Sequence, residues 1–221
     1  MIGASIGRGA MKIINAIVRW LASGGVHPNI LTAIGVTINV GCGVLFGFGE
    51  FFWAGIVLIV ANLFDMLDGN VARLTGNVTR FGGFLDSTLD RISDMVCFLG
   101  IICFYASNRP QHSLLNVFLA GVGLITSVMV SYTTARAENT GIKSSVGFFQ
   151  RPERIVLFII GALSTWNWES TNFFANRMPQ VLWVLAIGSL WTFLHRMFHT
   201  WVEIRKMEIR EAAAINENPA K

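Results

Sequence analysis

Uncharged stretches of span length alternate with short polar breaks along this chain. Residues 30–49 form an uncharged run of twenty, long enough to cross a bilayer as a helix. Glu50 marks a tight turn. A second apolar run, 51–64, predicts a helix that continues through Asp65 and Asp68 to about Thr75, where Gly76-Asn77 ends it. Gly82-Gly83 opens a third helix, through Asp86, Asp90 and Asp94 to about Tyr105, and Asn108-Arg109-Pro110 makes a loop. Residues 113–135 carry no charge and predict a fourth span, followed by a polar loop over 136–150. Arg151-Pro152 starts a fifth span, to Trp168. A sixth begins at Met178 and runs past Arg196 into a charged tail, Glu203 to Glu211. The pattern predicts an all-α membrane protein of six spans.

Residues 1–25 read differently. Arg8, Lys12 and Arg19 recur at helical spacing, with Ile13, Ile14, Ile17, Val18, Trp20 and Leu21 filling the other face. That is an amphipathic helix lying in the membrane interface. The start shows no secretory leader pattern. The expected organisation is therefore an interfacial helix over 1–25, a six-helix domain over 26–211, and a disordered tail over 212–221.

Composition agrees with the span count: 53% of the 221 residues are apolar and 14% charged, outside the soluble average. Six spans put both termini on one side. All the Lys and Arg residues except Arg109 and Arg177 then fall on that side, which the positive-inside bias makes cytoplasmic. The net charge of +4 speaks to orientation and anionic lipid rather than to nucleic acid. Cys42, Cys97 and Cys103 have no paired spacing and read as small buried hydrophobes. Gly41, Gly43, Gly47, Gly121 and Gly123 allow helices to approach closely. Trp166, Trp168, Trp183, Trp191 and Trp201 read as interface belt or packing.

Chemistry concentrates in one window. All five aspartates of the chain (Asp65, Asp68, Asp86, Asp90 and Asp94) lie within it. Carboxylates inside spans are expensive and face a partner or a wet cavity. Asp65 follows 14 uncharged residues, which climb about 21 Å in a core of about 30 Å. That depth lets a water-soluble substrate and a lipid meet. Asp65 and Asp68, three apart, share a helix face; Asp86 and Asp90, four apart, share one on the next helix. Four converging acids need cations, and two Mg²⁺ ions beside a phosphate fit the charge. Gly69 leaves room for a ligand near the backbone, Arg73 can grip a phosphate bidentately, and Gly82 lets the second helix come close. A structural network pairing the acids with Arg73, Arg80 and Arg91 needs no such ordered spacing. A divalent-cation transporter predicts acids spread along a path across the bilayer, whereas these occupy one layer.

The string Asp65-x2-Asp68-Gly69-x2-Ala72-Arg73-x8-Gly82-x3-Asp86-x3-Asp90 resembles, at every fixed position, the signature of the CDP-alcohol phosphotransferase family. Pro28-Asn29-x2-Thr32 is similar to that family's entry to its first span. The resemblance implies transfer of a phosphatidyl-type group from a CDP-lipid such as CDP-diacylglycerol to an alcohol, with release of CMP. It further implies that Asp65 and Asp86 bridge two metals (Mg²⁺, or Mn²⁺), that Asp68 and Asp90 complete the two sites, and that Asp90 is the general base. Asn29, Ile30, Leu31, Thr32, Gly69, Arg73 and Thr79 would hold the CDP moiety, and the protein would be a homodimer. Asp94 lies outside the signature, where it either supports the metal ligands or pairs with Arg91.

The acceptor is read elsewhere. Arg136, Arg154 and Arg196 stand at cytoplasmic helix ends and suggest a phosphorylated acceptor, although the positive-inside bias also places arginines there. The segments Ser131–Glu138 and Gln150–Arg154 resemble the family branch that makes phosphatidylinositol phosphate. A lysine usual in that branch is replaced here by Thr134. Inositol phosphate is the first expectation, glycerol phosphate the second, and a non-phosphorylated alcohol such as serine a further alternative with the same chemistry.

Overall fold

The computed structural model describes residues 14, 16–25, 28–142, 146–167 and 176–217. The expected helix at Arg8 and Lys12, the side chain of Asn29, and the loop at Glu169 lie outside them. Among the described residues every regular element is a helix. A helix over 16–23, α1, ends where Gly25 takes a positive φ of 68°. Then follow α2 (Pro28–Phe48), α3 (Phe51–Leu74), α4 (Arg80–Ala106), α5 (Leu114–Asn139), α6 (Arg151–Leu163), a 3-10 turn (Ser164–Asn167) and α7 (Met178–Glu217).

Four of these are long and apolar enough to cross a membrane: Ile30–Phe48, Phe51–Leu74, Leu114–Asn139 and Met178–Ala212. Apolar side chains along them, such as Val44, Ile56, Ile125 and Ile187, are exposed, as lipid-facing surface requires. The two remaining expected spans differ from these for separate reasons. The helix α4 is long, but it carries Arg80, Asp86, Asp90, Arg91 and Asp94 within its first 15 residues. The helix α6 has 13 residues and gives way to the 3-10 turn before Trp168. At 1.5 Å per residue it rises only about 20 Å. At the other end, α7 runs through Glu217, so 212–217, expected to be disordered, continues the helix. The run Glu211-Ala-Ala-Ala is made of strong helix formers.

The chain divides into two units, residues 1–104 and 105–221. In the first, α2 and α3 form an antiparallel hairpin. Gly49, at φ 90°, closes α2, and Glu50 N–H donates to Leu45 O at 2.9 Å. Phe51 sits edge-on to both Phe46 and Phe104, with centroids 5.3 and 4.7 Å away. The helix α4 returns parallel to α2 and meets it backbone to backbone. A Cβ on Gly100 would lie 2.0 Å from Gly43 O, and one on Gly43 would lie 2.6 Å from Val96 O. Cys42 and Cys97 are buried at this crossing with sulfurs 4.0 Å apart. Cys103, expected to be buried, is exposed. A Cβ on Gly41 or Gly121 would meet nothing within 4 Å, so among the described residues those two glycines mark no close helix approach. The helix α1 docks through Val18, which clusters with Leu31 of α2 and Val71 of α3.

In the second unit, α7 is the spine. Met178 and Val181 pack against Gly161 of α6. Further along, Gly188, Thr192 and Arg196, spaced by four, hold the segment 146–150. Phe149 lies over Gly188, 2.9 Å from where its Cβ would be. Phe149 N–H donates to Thr192 Oγ1 at 3.2 Å, and Gly147, at φ 114°, passes over Thr192. A reciprocal cap between Gln150 and Glu153 then starts α6.

The glycine crossing gives a direct test. Gly100→Ala should destabilise the protein by about 1–3 kcal/mol through overpacking against rigid backbone. Gly41→Ala, in open space, should not lower the thermal midpoint in detergent. Equal midpoints for the two variants would argue against the α2–α4 contact.

Candidate active site

Three helix ends meet in the first unit: the start of α2, the last turns of α3 and the start of α4. They enclose a cavity of about 230 Å³ lined by Pro28, Thr32, Asp68, Gly69, Ala72, Arg73, Asn77, Val78, Thr79, Gly82, Gly83 and Asp86. Each end arises locally. Pro28 opens α2, where its missing N–H costs nothing. Gly76, at φ 69°, turns the chain out of α3. Thr79 caps α4 by accepting the Gly82 N–H at 2.9 Å. Two helix N-termini thus face one cavity that Arg73 also lines. Exposed N–H groups and helix dipoles at such ends favour phosphate.

The carboxylates are arranged unequally. Asp68 is buried, with 5% of its surface exposed, and its carboxylate accepts a hydrogen bond from the Thr32 hydroxyl at 2.6 Å. Its charged neighbours are Asp86 and Asp65. Asp68 and Asp86 line the cavity. Asp65, one turn before Asp68, reaches back toward α2, where its Oδ1 lies 2.9 Å from the position a Cβ on Gly35 would take. Asp90 stands one turn beyond Asp86 on α4, half-buried, and Asp94 a further turn on, buried. Among the described residues, no three His, Cys, Asp or Glu side chains are gathered tightly enough to hold a metal as they stand. The donor set nevertheless fits hard divalent cations: carboxylate oxygens, two on each of two adjacent helices, with Asp68 flanked by like charge.

Of the residues assigned to the CDP moiety, Thr32, Gly69, Arg73 and Thr79 line the cavity. A Cβ on Gly69 would meet nothing within 4 Å, so the open space expected there is present. Ile30 and Leu31 do not line it. Ile30 is exposed on the outer face of α2, and Leu31 is in the core against Val18 and Val71. Asn77, Val78 and Gly83 do line it and were not singled out from the sequence. They belong to the linker and first turn beside Thr79 and Gly82, so the local position was the available signal.

The three candidate acceptor arginines lie in the second unit. Arg196 is 6% exposed. Its Nε donates to Val146 O at 2.7 Å, and Nη1 donates to Val130 O at 2.9 Å and to the Thr134 hydroxyl. Arg154, 3% exposed on α6, is its charged neighbour. Two guanidinium groups buried side by side favour an anion between or beside them. Arg136 is exposed in the last turn of α5, two residues from Thr134 and so on another side of that helix.

Comparison with known proteins matches this geometry. A family model described as CDP-alcohol phosphatidyltransferase matches residues 25–204. The chain belongs to the CDP-alcohol phosphatidyltransferase family. It is therefore an enzyme of phosphatidyl transfer, and the cavity is lined by six of the eight fixed signature positions named above (Asp68, Gly69, Ala72, Arg73, Gly82 and Asp86) together with Pro28 and Thr32 of the entry to α2. Similar proteins are named phosphatidylinositol phosphate synthase. That of Mycobacteroides abscessus is 36% identical over 84% of this chain and 82% of its own length. That of Mycobacterium tuberculosis is 37% identical over 86% of each. A crystal structure of the Mycobacterium tuberculosis phosphatidylinositol phosphate synthase with CDP-DAG bound superposes with a TM-score of 0.76 at 35% identity, over 86% of this chain and 94% of that one. Another, in complex with manganese and citrate, also scores 0.76, over 85% and 88%.

Gly35 offers a handle on this phosphatidyltransferase site. A methyl group there meets the flexible end of Asp65 rather than backbone, so Gly35→Ala should fold normally while moving that carboxylate. Misplacement of a reacting constellation by about 1 Å can cost about 10²-fold. The expected result is a CMP-release rate lowered on that order with an unchanged melting midpoint. Undiminished turnover would detach Asp65 from the site.

Proposed function

We propose that this phosphatidyltransferase transfers the phosphatidyl group of a CDP-diacylglycerol-type lipid to inositol phosphate, making phosphatidylinositol phosphate and CMP. The observation that carries the reading is the cavity in which Thr32, Asp68, Gly69, Arg73, Thr79 and Asp86 meet at two helix N-termini. The acceptor rests on the similar proteins named phosphatidylinositol phosphate synthase and on the buried Arg154–Arg196 pair.

Asp65, Asp68, Asp86 and Asp90 would hold two divalent cations, Mg²⁺ or Mn²⁺, which neutralise the carboxylates and polarise the diphosphate when bound. Asp90 takes the proton of the acceptor hydroxyl. The freed oxygen forms a bond to the lipid-side phosphorus, the bond from that phosphorus to the bridging oxygen breaks, and CMP leaves with the electron pair. Arg73 and the N–H groups at the start of α4 hold the diphosphate. Thr32 fixes the Asp68 carboxylate by the hydrogen bond described above. Arg136, Arg154 and Arg196 are assigned to the acceptor's phosphate.

The same reading includes six spans, with α1 lying in the interface, both termini and the aspartates on the cytoplasmic side of the cell membrane, and a homodimer. The bias of Lys and Arg to one side of the span count supports the orientation. A second reading keeps the chemistry with glycerol 3-phosphate as acceptor. It is favoured by Thr134, which brings a neutral hydroxyl to Arg196 where the resembling branch has a lysine.

The test is CMP release by the purified protein with CDP-diacylglycerol and Mg²⁺, offering inositol phosphate, glycerol 3-phosphate, inositol and serine in parallel. Inositol phosphate should exceed inositol and serine by at least about tenfold, the value of a charge-assisted phosphate contact. Preference for serine or inositol would overturn the acceptor assignment. Asp90→Asn should lower turnover by about 10²–10⁴-fold, with the CDP-lipid still bound. In a second series, Thr134→Lys should lower KM for phosphorylated acceptors alone; an equal gain with serine would count against an acceptor phosphate near Arg196.

A further inference from the structure

Arg73 lines a second cavity besides the one already described. This cavity, about 550 Å³, lies between α1 and α3 and is lined by Val18, Arg19, Asn70, Arg73 and Leu74. The docking of α1 creates it. Val18 inserts against Leu31 and Val71, which sets the next residue, Arg19, over the α3 face bearing Asn70, Arg73 and Leu74. Two arginines from different helices, Arg19 and Arg73, therefore border one recess together with Asn70. The Asn70 amide donates one hydrogen bond to Met66 O at 2.7 Å, which holds it in place on α3.

We propose that this recess binds the phosphate headgroup of an anionic membrane lipid, at a site separate from that of the donor. Two arginines bordering one space repel each other and attract a phosphate, which each can bind through paired N–H donors. The surroundings select a lipid over a soluble ion. Leu74 lines the recess with 56% of its surface exposed, and Ile17 and Trp20 flank Arg19 with 41% and 73% exposed. A soluble phosphate gains nothing from such apolar surface, whereas a lipid lays its chains along it and places its headgroup under the arginines. An exposed Trp beside an Arg is also the arrangement of side chains that sit at headgroup level. Since Arg73 borders both cavities, a lipid bound here touches a residue that also lines the cavity proposed for the donor.

The experiment is native mass spectrometry of the full chain in neutral detergent. Phosphatidylglycerol, phosphatidylcholine and inorganic phosphate are titrated separately, with and without saturating CDP-diacylglycerol. Phosphatidylglycerol should remain bound at activation energies that strip phosphatidylcholine, and should do so with the donor present. One basic residue near an anionic lipid surface is worth about fivefold in binding. Arg19→Gln should therefore weaken phosphatidylglycerol by about fivefold, while Arg19→Lys keeps most of the affinity. The lipid-free melting midpoint of Arg19→Gln should equal that of the parent, which separates lost binding from lost folding. Equal retention of the two lipids, or no effect of Arg19→Gln, overturns the site. Displacement by CDP-diacylglycerol would make the recess part of the donor's site and likewise overturn it. Competition by inorganic phosphate as effective as by phosphatidylglycerol would overturn the choice of a lipid. None of these outcomes depends on the acceptor, so this proposal and the acceptor assignment fail independently.

Discussion

Carboxylates placed among apolar helices must have positive charge before them, because an unpaired charge in such surroundings costs several kcal/mol. Much of the first unit serves that requirement. The starts of α2 and α4 bring their N-terminal N–H groups to one cavity, and Arg73 closes it from α3. Thr32 hydrogen-bonds to Asp68, the most buried acid of the cavity. The divalent cations that this donor set fits would complete the balance. A transferase acting on a diphosphate lipid can use the same positive frame twice, once for its own carboxylates and once for the substrate.

That frame depends on a contact far from it. The α2–α4 crossing at Gly43 and Gly100 brings two backbones together with no side chain between them, and Phe46, Phe51 and Phe104 fill the space beyond. Parallel helices held this closely at one end carry their N-termini together at the other. Gly35 extends the same logic nearer the site, where the missing side chain leaves room for the Asp65 carboxylate rather than for backbone. In this unit small residues set distances between helices, and those distances set where the acids stand.

The second unit solves a related problem with cations. Arg154 and Arg196 are nearly inaccessible, yet Arg196 is held by two carbonyl groups and a hydroxyl, two of the three from α5 and one from the segment before α6. Its neighbours on α7, Gly188 and Thr192, grip the segment that starts α6 and so hold Arg154 in place. One face of α7 therefore connects the positions of both arginines. The Thr134 hydroxyl accepts one of the Arg196 N–H donors, so α5 takes part in holding that side chain.

What could be read from the sequence was local. Apolar run lengths predicted helices that the structure contains, and spacings of three and four placed Asp65 with Asp68 and Asp86 with Asp90, because helical geometry is set within a few residues. The cavity residues Gly69, Arg73 and Gly82 belonged to the same local signature, and Thr32 to the short motif that opens α2. Tertiary structure decided what periodicity cannot encode. Leu31 faces the core while Thr32 faces the cavity, because α1 docks on one side of α2. Asp65 turns toward Gly35 and Arg196 toward Val130 and Val146, because the partner each side chain meets lies on a segment distant in sequence. The 13-residue length of α6 and the continuation of α7 to Glu217 likewise follow from where packing and helix propensity end, which hydropathy alone does not mark. The sequence by itself determined the helices and the chemical groups they carry; the approach of one helix to another decided which groups share a space, since that distance depends on the side chains absent between them.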